Sequence, residues 1–268
     1  MRSKGRKDMK TMTIKKKNIK DLLKEALADY NVYAPIRNFD NDVWFDALAT
    51  RGAELDRALE NIVLDDNDTV ISPKDIFFPQ LESMFEFGSG KVKETVESSS
   101  KLIFGVRPCD LKGILFVDDF YKRNFDDKYY LSRTKDRFIV VKGCLKPPRP
   151  TCFCTSVKTG PFADSGYDLQ LIEAGDFYLV EAGSEKGKEF IKKHAGLFKN
   201  SPGKAGDMAA GIKEKAAESV ELKVDFRKAL DLMAKDDFVP EENYKRIGER
   251  CIYCGGCLYV CPTCTCFS

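Results

Sequence analysis

The sequence predicts an α/β (or α+β) fold, in which a mixed sheet with crossover helices forms the body and a small cysteine-rich tail follows it. Residues 101–106 and 137–142 are two largely apolar runs of the kind found in strands that are covered on both faces. The stretch between them has the length of a βαβ crossover. Six of the ten cysteines lie between Cys251 and Cys266, which sets the C-terminal segment apart from the rest.

The elements before the first of these strands are predicted in order. Residues 1–17 form a basic head that we expect to be flexible, because the first twenty residues hold nine Lys or Arg against one Asp. Asn18 is the candidate N-cap of a short amphipathic helix. Residues 32–45 are extended, and a proline-containing loop at 72–80 leads into a short helix whose aromatic residues, Phe85 and Phe87, we place in the core.

The remaining elements follow from similar signals. The chain turns from strand 101–106 directly into a helix at Arg107-Pro108-Cys109-Asp110, and strands 168–172 and 177–181 form a hairpin. Further helices are predicted at 184–197, with His194 on its surface, and at 207–217, 225–234 and 241–250. Residues 18–200 are thus the body, 201–206 a Pro- and Gly-containing linker, and 207–268 a helical segment that ends in the tail.

Composition excludes several function classes. No apolar run approaches the roughly 20 residues that cross a bilayer, so we expect no membrane span and a cytoplasmic location. The single histidine, His194, excludes multi-His metal sites and makes His-centred catalysis improbable, and we assign no catalytic residue. The basic head could contact nucleic acid, but a solvated terminus is the commoner case, so no nucleic-acid partner is predicted.

The tail carries the strongest motif. Its cysteines at 251, 254, 257 and 261 and the following Pro262 have the spacing C-x2-C-x2-C-x3-C-P of bacterial ferredoxins. Gly255 and Gly256 allow the loop to turn tightly beside a cluster. Zinc sites use two separated cysteine pairs instead. The sequence therefore predicts a [4Fe-4S] cluster bound by Cys251, Cys254, Cys257 and Cys261, which makes the tail ferredoxin-like.

A second group of four cysteines lies in the body: Cys109, Cys144, Cys152 and Cys154. Each lies at or beyond the end of a predicted strand, and parallel strands bring such ends to one crevice. Cys109 opens a helix, where the helix dipole favours a thiolate. The group predicts a possible second [4Fe-4S] cluster, with structural zinc or inert buried thiols as the alternatives.

Several segments resemble one known family in the same order along the chain. They are Ser72-Pro73-Lys74, Phe77-Phe78-Pro79 with Glu82, Phe104-Gly105-Val106-Arg107-Pro108-Cys109-Asp110, Cys152-Phe153-Cys154, and the run from Cys257 to Phe267. From about Ile19 onward the chain is similar to the 4Fe-4S dicluster electron-transfer subunits. This family is typified by the beta subunit of sulfhydrogenase-type NiFe hydrogenases and by the corresponding iron-sulfur subunit of anaerobic sulfite reductase.

This resemblance implies an electron-transfer subunit of an anaerobic complex, with a flavoprotein and a hydrogenase, sulfite-reducing or heterodisulfide-reductase-like subunit as partners. It also implies that the four tail cysteines are cluster ligands. The family usually carries a second ferredoxin run further on, which is absent before Ser268. Either the chain is shortened, or one tail cluster closes on Cys261, Cys264 or Cys266.

Two other classes of function stay open. The body could hold a flavin or deazaflavin in a catalytic subunit, although no G-x-G-x-x-G motif follows a strand. The chain could instead be a zinc-bearing interaction module.

Overall fold

The computed structural model describes residues 11–49, 51–64, 68–79, 81–235 and 240–265. The strands are β1 (Met12–Lys15), β2 (Asn31–Arg37), β3 (Val43–Ala47), β4 (Phe85–Gly88), β5 (Lys91–Glu94), β6 (Lys101–Val106), β7 (Arg137–Lys142), β8 (Leu169–Ala174), β9 (Phe177–Ala182) and β10 (Phe198–Asn200). The helices are α1 (Ile19–Ala26), α2 (Gly52–Glu60), α3 (Pro108–Arg123), α4 (Lys128–Thr134), α5 (Glu185–Lys193), α6 (Ala205–Glu218), α7 (Phe226–Met233), α8 (Glu241–Arg250) and α9 (Gly256–Val260).

Eight of the strands form one mixed sheet in the order β10-β1-β9-β8-β7-β6-β2-β3. Its centre is parallel, because β2 pairs with β6, β6 with β7, and β7 with β8 in the same direction. The outer pairs are antiparallel, including the β8–β9 hairpin. The predicted mixed α/β body is confirmed, and strands β6 and β7 have the predicted bounds.

Both faces of the sheet are covered, as the apolar runs of β6 and β7 predict. Leu102 and Phe104 of β6 face one core cluster, together with side chains of α1, α2 and α5. Ile103 and Val106 face a second cluster, together with side chains of α3 and α4. A third cluster joins β8 and β9 to Ala205, Ala209 and Ala216 of α6. The sheet is therefore the middle layer of three.

The predicted short helix near Met84 is wrong. Residues 85–94 form the β4–β5 hairpin, outside the main sheet. Phe85 is 48% exposed and Phe87 is 78% exposed, so these rings are not core residues. Their spacing of two residues is the strand period, which places both rings on one face of the hairpin.

The N-terminal strand is a second difference. Residues 12–15, assigned above to a flexible head, form β1, which pairs with both β9 and β10. Ile14 is 1% exposed and belongs to the first core cluster. The lysines that flank it dominate the composition of the segment, while a single inward residue anchors it. Residues 1–10 of the predicted head lie outside the described residues.

His194 is also placed differently from its predicted surface position. It is 5% exposed at the C-terminal end of α5. Its Nδ1 atom lies 2.6 Å from a Glu25 carboxylate oxygen, and its ring packs against Phe190 at 4.4 Å between centroids. It joins α5 to α1 and lies outside the cysteine sites.

None of the helices in the described ranges is both long enough and apolar enough to cross a membrane.

Candidate metal centre

Cys109 is positioned by a bulge at the end of β6. The pairing of β6 with β7 shifts register between Phe104 and Val106, and Gly105 between them has a φ of 81°. A Cβ atom at Gly105 would also lie 3.1 Å from the ring of Pro35. The bulge turns the chain into α3, whose first residue is Pro108, so Cys109 lies in the first helical turn.

Cys144 is positioned by a close packing contact of the residue before it, at the end of strand β7. Gly143 follows β7, and a Cβ atom there would lie 1.9 Å from the ring of Phe162. The backbone N–H of Cys144 donates to the carbonyl of Pro161 at 2.9 Å. The absence of a side chain at Gly143 therefore lets the ring of Phe162 lie beneath the cysteine loop.

The Cys152–Cys154 pair lies in an irregular loop held by backbone hydrogen bonds. The Cys152 N–H donates to the Arg149 carbonyl at 3.0 Å, and the Cys154 carbonyl accepts from the Thr159 N–H at 3.0 Å. Lys223, in the segment before α7, donates to the hydroxyl of Thr155 at 3.1 Å. The loop is thus tied down on both sides of the cysteine pair.

These three positions meet at one open cavity of about 860 Å³. All four body cysteines line it, as expected from parallel strands whose ends meet at one crevice. Val260, Pro262 and Thr263 of the tail line another side. In the described part of the chain, no three His, Cys, Asp or Glu side chains are grouped tightly enough to hold a single metal ion. Thiolates are ligands of both zinc and iron-sulfur clusters in proteins.

The electrostatics of the cavity differ from the prediction for Cys109. Loss of solvation, followed by the negative charge of Asp110, raises the pKa of the Cys109 thiol to about 12, although Arg107 opposes this. Burial likewise raises the pKa of Cys154, with Cys152 adding to the effect. The Cys109 side chain nevertheless lies at the surface, and a metal ion bound by this thiol would favour the thiolate.

Arg107 brings a positive charge to the same place. Its Nε atom donates to Asp110 at 2.6 Å, and Asp110 is 3% exposed. Burial lowers the pKa of Arg107, but Asp110 and the thiols of Cys109 and Cys144 outweigh it and raise the pKa above its ordinary value. This places the guanidinium within electrostatic reach of two candidate ligands.

The tail loop has the backbone shape that its glycines predict. Gly255 has a φ of 70° and Tyr253 a φ of 55°, so two left-handed residues lie between Cys251 and Cys257. A Cβ atom on Gly256 would come to 3.5 Å from the sulfur of Cys254. Cys257 lies in α9 and Cys261 directly follows it, four residues later, so both occupy one side of that turn.

The tail cysteines differ among themselves in exposure, and Cys109 of the body set is exposed as well. Cys251, Cys254 and Cys257 are exposed, while Cys261 and Cys264 are partly buried. Desolvation acts to raise the pKa of Cys261, but hydrogen bonds involving Cys264 and Thr263 lower it to about 7. Cys266 lies outside the described residues.

Lys74 makes a contact with the tail that the sequence analysis does not predict. The ammonium of Lys74 donates to the carbonyls of Leu258, Cys261 and Cys264 at 2.5, 2.8 and 3.2 Å. Lys74 stands out in the sequence only as part of Ser72-Pro73-Lys74, one of the segments that carry the resemblance. No local pattern indicates a partner so distant along the chain.

Comparison with known proteins supports the same family. No protein-family model matches the chain. It is similar to the sulfhydrogenase 2 subunit beta of Pyrococcus furiosus, with 31% identity over 236 residues. The matched region is 88% of this chain and 66% of that relative, just under two thirds of its length. Over the matched region, the chain belongs to the family of sulfhydrogenase-type beta subunits.

Proposed function

We propose that the chain is an iron-sulfur electron-transfer subunit of an anaerobic, hydrogenase-type complex. Electrons would pass between a flavoprotein and a catalytic subunit, with no substrate bond made or broken in this chain. The observation that carries the proposal is the convergence of all four body cysteines on one cavity that the tail also lines.

The residues fall into two candidate ligand sets. Cys109, Cys144, Cys152 and Cys154 would hold a cluster in the body, and Cys251, Cys254, Cys257 and Cys261 a cluster in the tail. A [4Fe-4S] cluster at either site would accept and release single electrons. The body residues would position the thiolates and, through Arg107, favour the state that carries the extra electron.

The name of the relative supports one partner class over the others. Its name makes it the beta subunit of a sulfhydrogenase. We therefore favour a hydrogenase partner over a sulfite reductase or a heterodisulfide-reductase-like enzyme. Anaerobic affinity purification of the full chain from its host would test this: co-purification of hydrogenase and flavoprotein subunits is expected, and a sulfite reductase in their place would overturn the hydrogenase assignment.

Iron and acid-labile sulfide analysis tests the two ligand sets. Anaerobically purified protein should be brown, and its visible absorption should bleach on reduction. A Cys152→Ser, Cys154→Ser variant should lose about four irons per chain while retaining the tail cluster. A Cys251→Ser, Cys254→Ser variant should show the reverse, so each pair is the control for the other. Unchanged iron in the first variant would contradict a cluster in the body.

A catalytic flavoprotein is the second candidate, favoured by the cavity alone. Its volume of about 860 Å³ lies within the range of small-molecule sites, and Leu115, Phe116 and Val157 add apolar lining. A yellow sample that releases flavin on denaturation would support this candidate, and a colourless, zinc-loaded sample would discard both redox functions.

A further inference from the structure

The ammonium of Lys74 bridges the body and the tail. It uses all three of its N–H donors on carbonyls of the tail, at Leu258, Cys261 and Cys264. These carbonyls lie in α9 and in the turn after it, where the Cys261 carbonyl also accepts from the backbone N–H of Cys264 at 3.4 Å. One side chain therefore bonds to three backbone acceptors around the last cysteine of the motif.

The loop that presents Lys74 is held in the body. Residues 73–76 form a 3-10 turn, and Phe77, which follows it, is 1% exposed in the second core cluster. The Lys74 carbonyl accepts from the N–H groups of Phe77 and Phe78 at 2.9 and 2.7 Å. Pro73 is buried as well. The ammonium is thus presented from a fixed backbone.

A second contact fixes the same part of the tail. A Cβ atom on Gly113 of α3 would lie 2.8 Å from the Cβ atom of Pro262, so the missing side chain lets Pro262 approach the helix. Thr265 forms a side-chain hydrogen bond with Tyr121, two turns further along α3. The tail segment 258–265 therefore lies on α3 through shape as well as charge.

This placement has an electrostatic consequence. The Lys74 ammonium lies 2.8 Å from the carbonyl oxygen of Cys261, a candidate ligand of the tail cluster. Cluster reduction adds a negative charge, and a nearby positive charge in a partly buried setting stabilises the reduced state. The same contact keeps Val260, Pro262 and Thr263 on the wall of the cavity that the body cysteines line.

We propose that Lys74 is a positioning residue that clamps the tail site against the body cysteine cavity and raises the reduction potential of the tail cluster. The clamp rests on the hydrogen bonds of Lys74 and on the Gly113–Pro262 contact. The effect on potential rests on the proposed function.

The clamp is tested on metal-free protein by amide hydrogen exchange. Lys74→Met removes the charge and the three donors but keeps the length of the side chain. Exchange in residues 258–265 should rise about tenfold, which corresponds to ~1.4 kcal/mol, while β6 and β7 keep their protection and so report an intact body. Lys122→Met removes an exposed lysine from α3 and should leave residues 258–265 unchanged.

The effect on potential is tested on cluster-loaded protein by an EPR-monitored redox titration. In Lys74→Met the reduction potential of the tail cluster should fall by about 59 mV, which is a tenfold change in the equilibrium constant of a one-electron couple. Lys74→Arg keeps the positive charge, so its reduction potential should be close to that of the wild type. A purely structural role of Lys74 would not require this.

Unchanged amide exchange in Lys74→Met overturns the clamp, and faster exchange with an unchanged reduction potential overturns the redox effect. A wild-type protein that binds no tail cluster refutes the proposed function and the redox effect, and leaves the clamp to the exchange result.

Discussion

Gly143 is the residue at which the body site depends most directly on a missing side chain. It is followed by Cys144 and lies against the ring of Phe162. A Gly143→Ala substitution would force the ring or the loop to move, and overpacking of this kind costs about 1–3 kcal/mol. Chemical denaturation should show this loss, and the iron content of the body site should fall because Cys144 moves with the loop.

Gly211→Ala is the matched control. Gly211 lies in the interior of α6, and a Cβ atom there would meet nothing within 4 Å. Alanine favours helix over glycine by roughly 0.5–1 kcal/mol, so this variant should be slightly more stable than wild type. An equal loss of stability in both variants would contradict the packing argument at Gly143.

Individual residues differ in whether the sequence alone predicts their position and environment. The cysteine positions at the ends of β6 and β7 are predictable, because parallel strands send their ends to one edge of the sheet. The burial of His194 is not, because its partner Glu25 comes from α1 at the other end of the chain. The influence of Asp110 on Cys109 is not predictable either, since the loss of solvation and the carboxylate charge that raise the pKa of this thiol depend on the fold.

At the scale of elements, Asp118 ties α3 to α4 and β7. Its carboxylate accepts from the hydroxyl of Tyr130 at 2.8 Å and from Nη1 of Arg137 at 2.7 Å. Asp118→Ala would leave a largely buried guanidinium unpaired, so we expect a loss of about 3–5 kcal/mol in the free energy of unfolding. Asp118→Asn keeps an acceptor for Tyr130 and should lose less.

The neighbouring Asp119 provides the comparison. It pairs with Arg123 on the exposed surface of α3, where both side chains are more than half exposed. Asp119→Ala should therefore cost no more than about 1 kcal/mol. Similar losses at the two positions, measured by urea denaturation, would show that the Asp118 contacts do not hold the elements together.

The elements differ in how far the sequence predicts them. β6 and β7 are recognisable because each is an almost uninterrupted run of residues buried on both faces. β1 is hidden because only Ile14 of its four residues is buried, among basic neighbours. The β4–β5 hairpin is misread as a helix because its aromatic residues suggest a core, although their two-residue spacing is that of a strand.

At the scale of the whole molecule, the three apolar clusters formed by the described residues contain no cysteine. Iron removal by a chelator under anaerobic conditions should therefore leave the α/β body folded. Far-UV circular dichroism should change little, while hydrogen exchange should accelerate in residues 251–257 and in the Cys152–Cys154 loop. Loss of the sheet signal on chelation would show that the clusters are needed for the body itself.

The site as a whole is only partly predictable. The two sets of cysteines and their division between body and tail follow from spacing and from strand ends. Their adjacency does not, because it depends on Lys74, Gly113 and Pro262, which meet across long separations in sequence and form no local pattern.

The position of β1 has a consequence for synthesis on the ribosome. This strand is translated well before its partners Val180 and Asn200. The nascent chain must therefore keep the strand without its native partners until residue 200 has been translated and has left the ribosome. The loops with Cys109, Cys144, Cys152 and Cys154 leave the ribosome before residue 200 does, so these thiols are available to the cell before the sheet is complete.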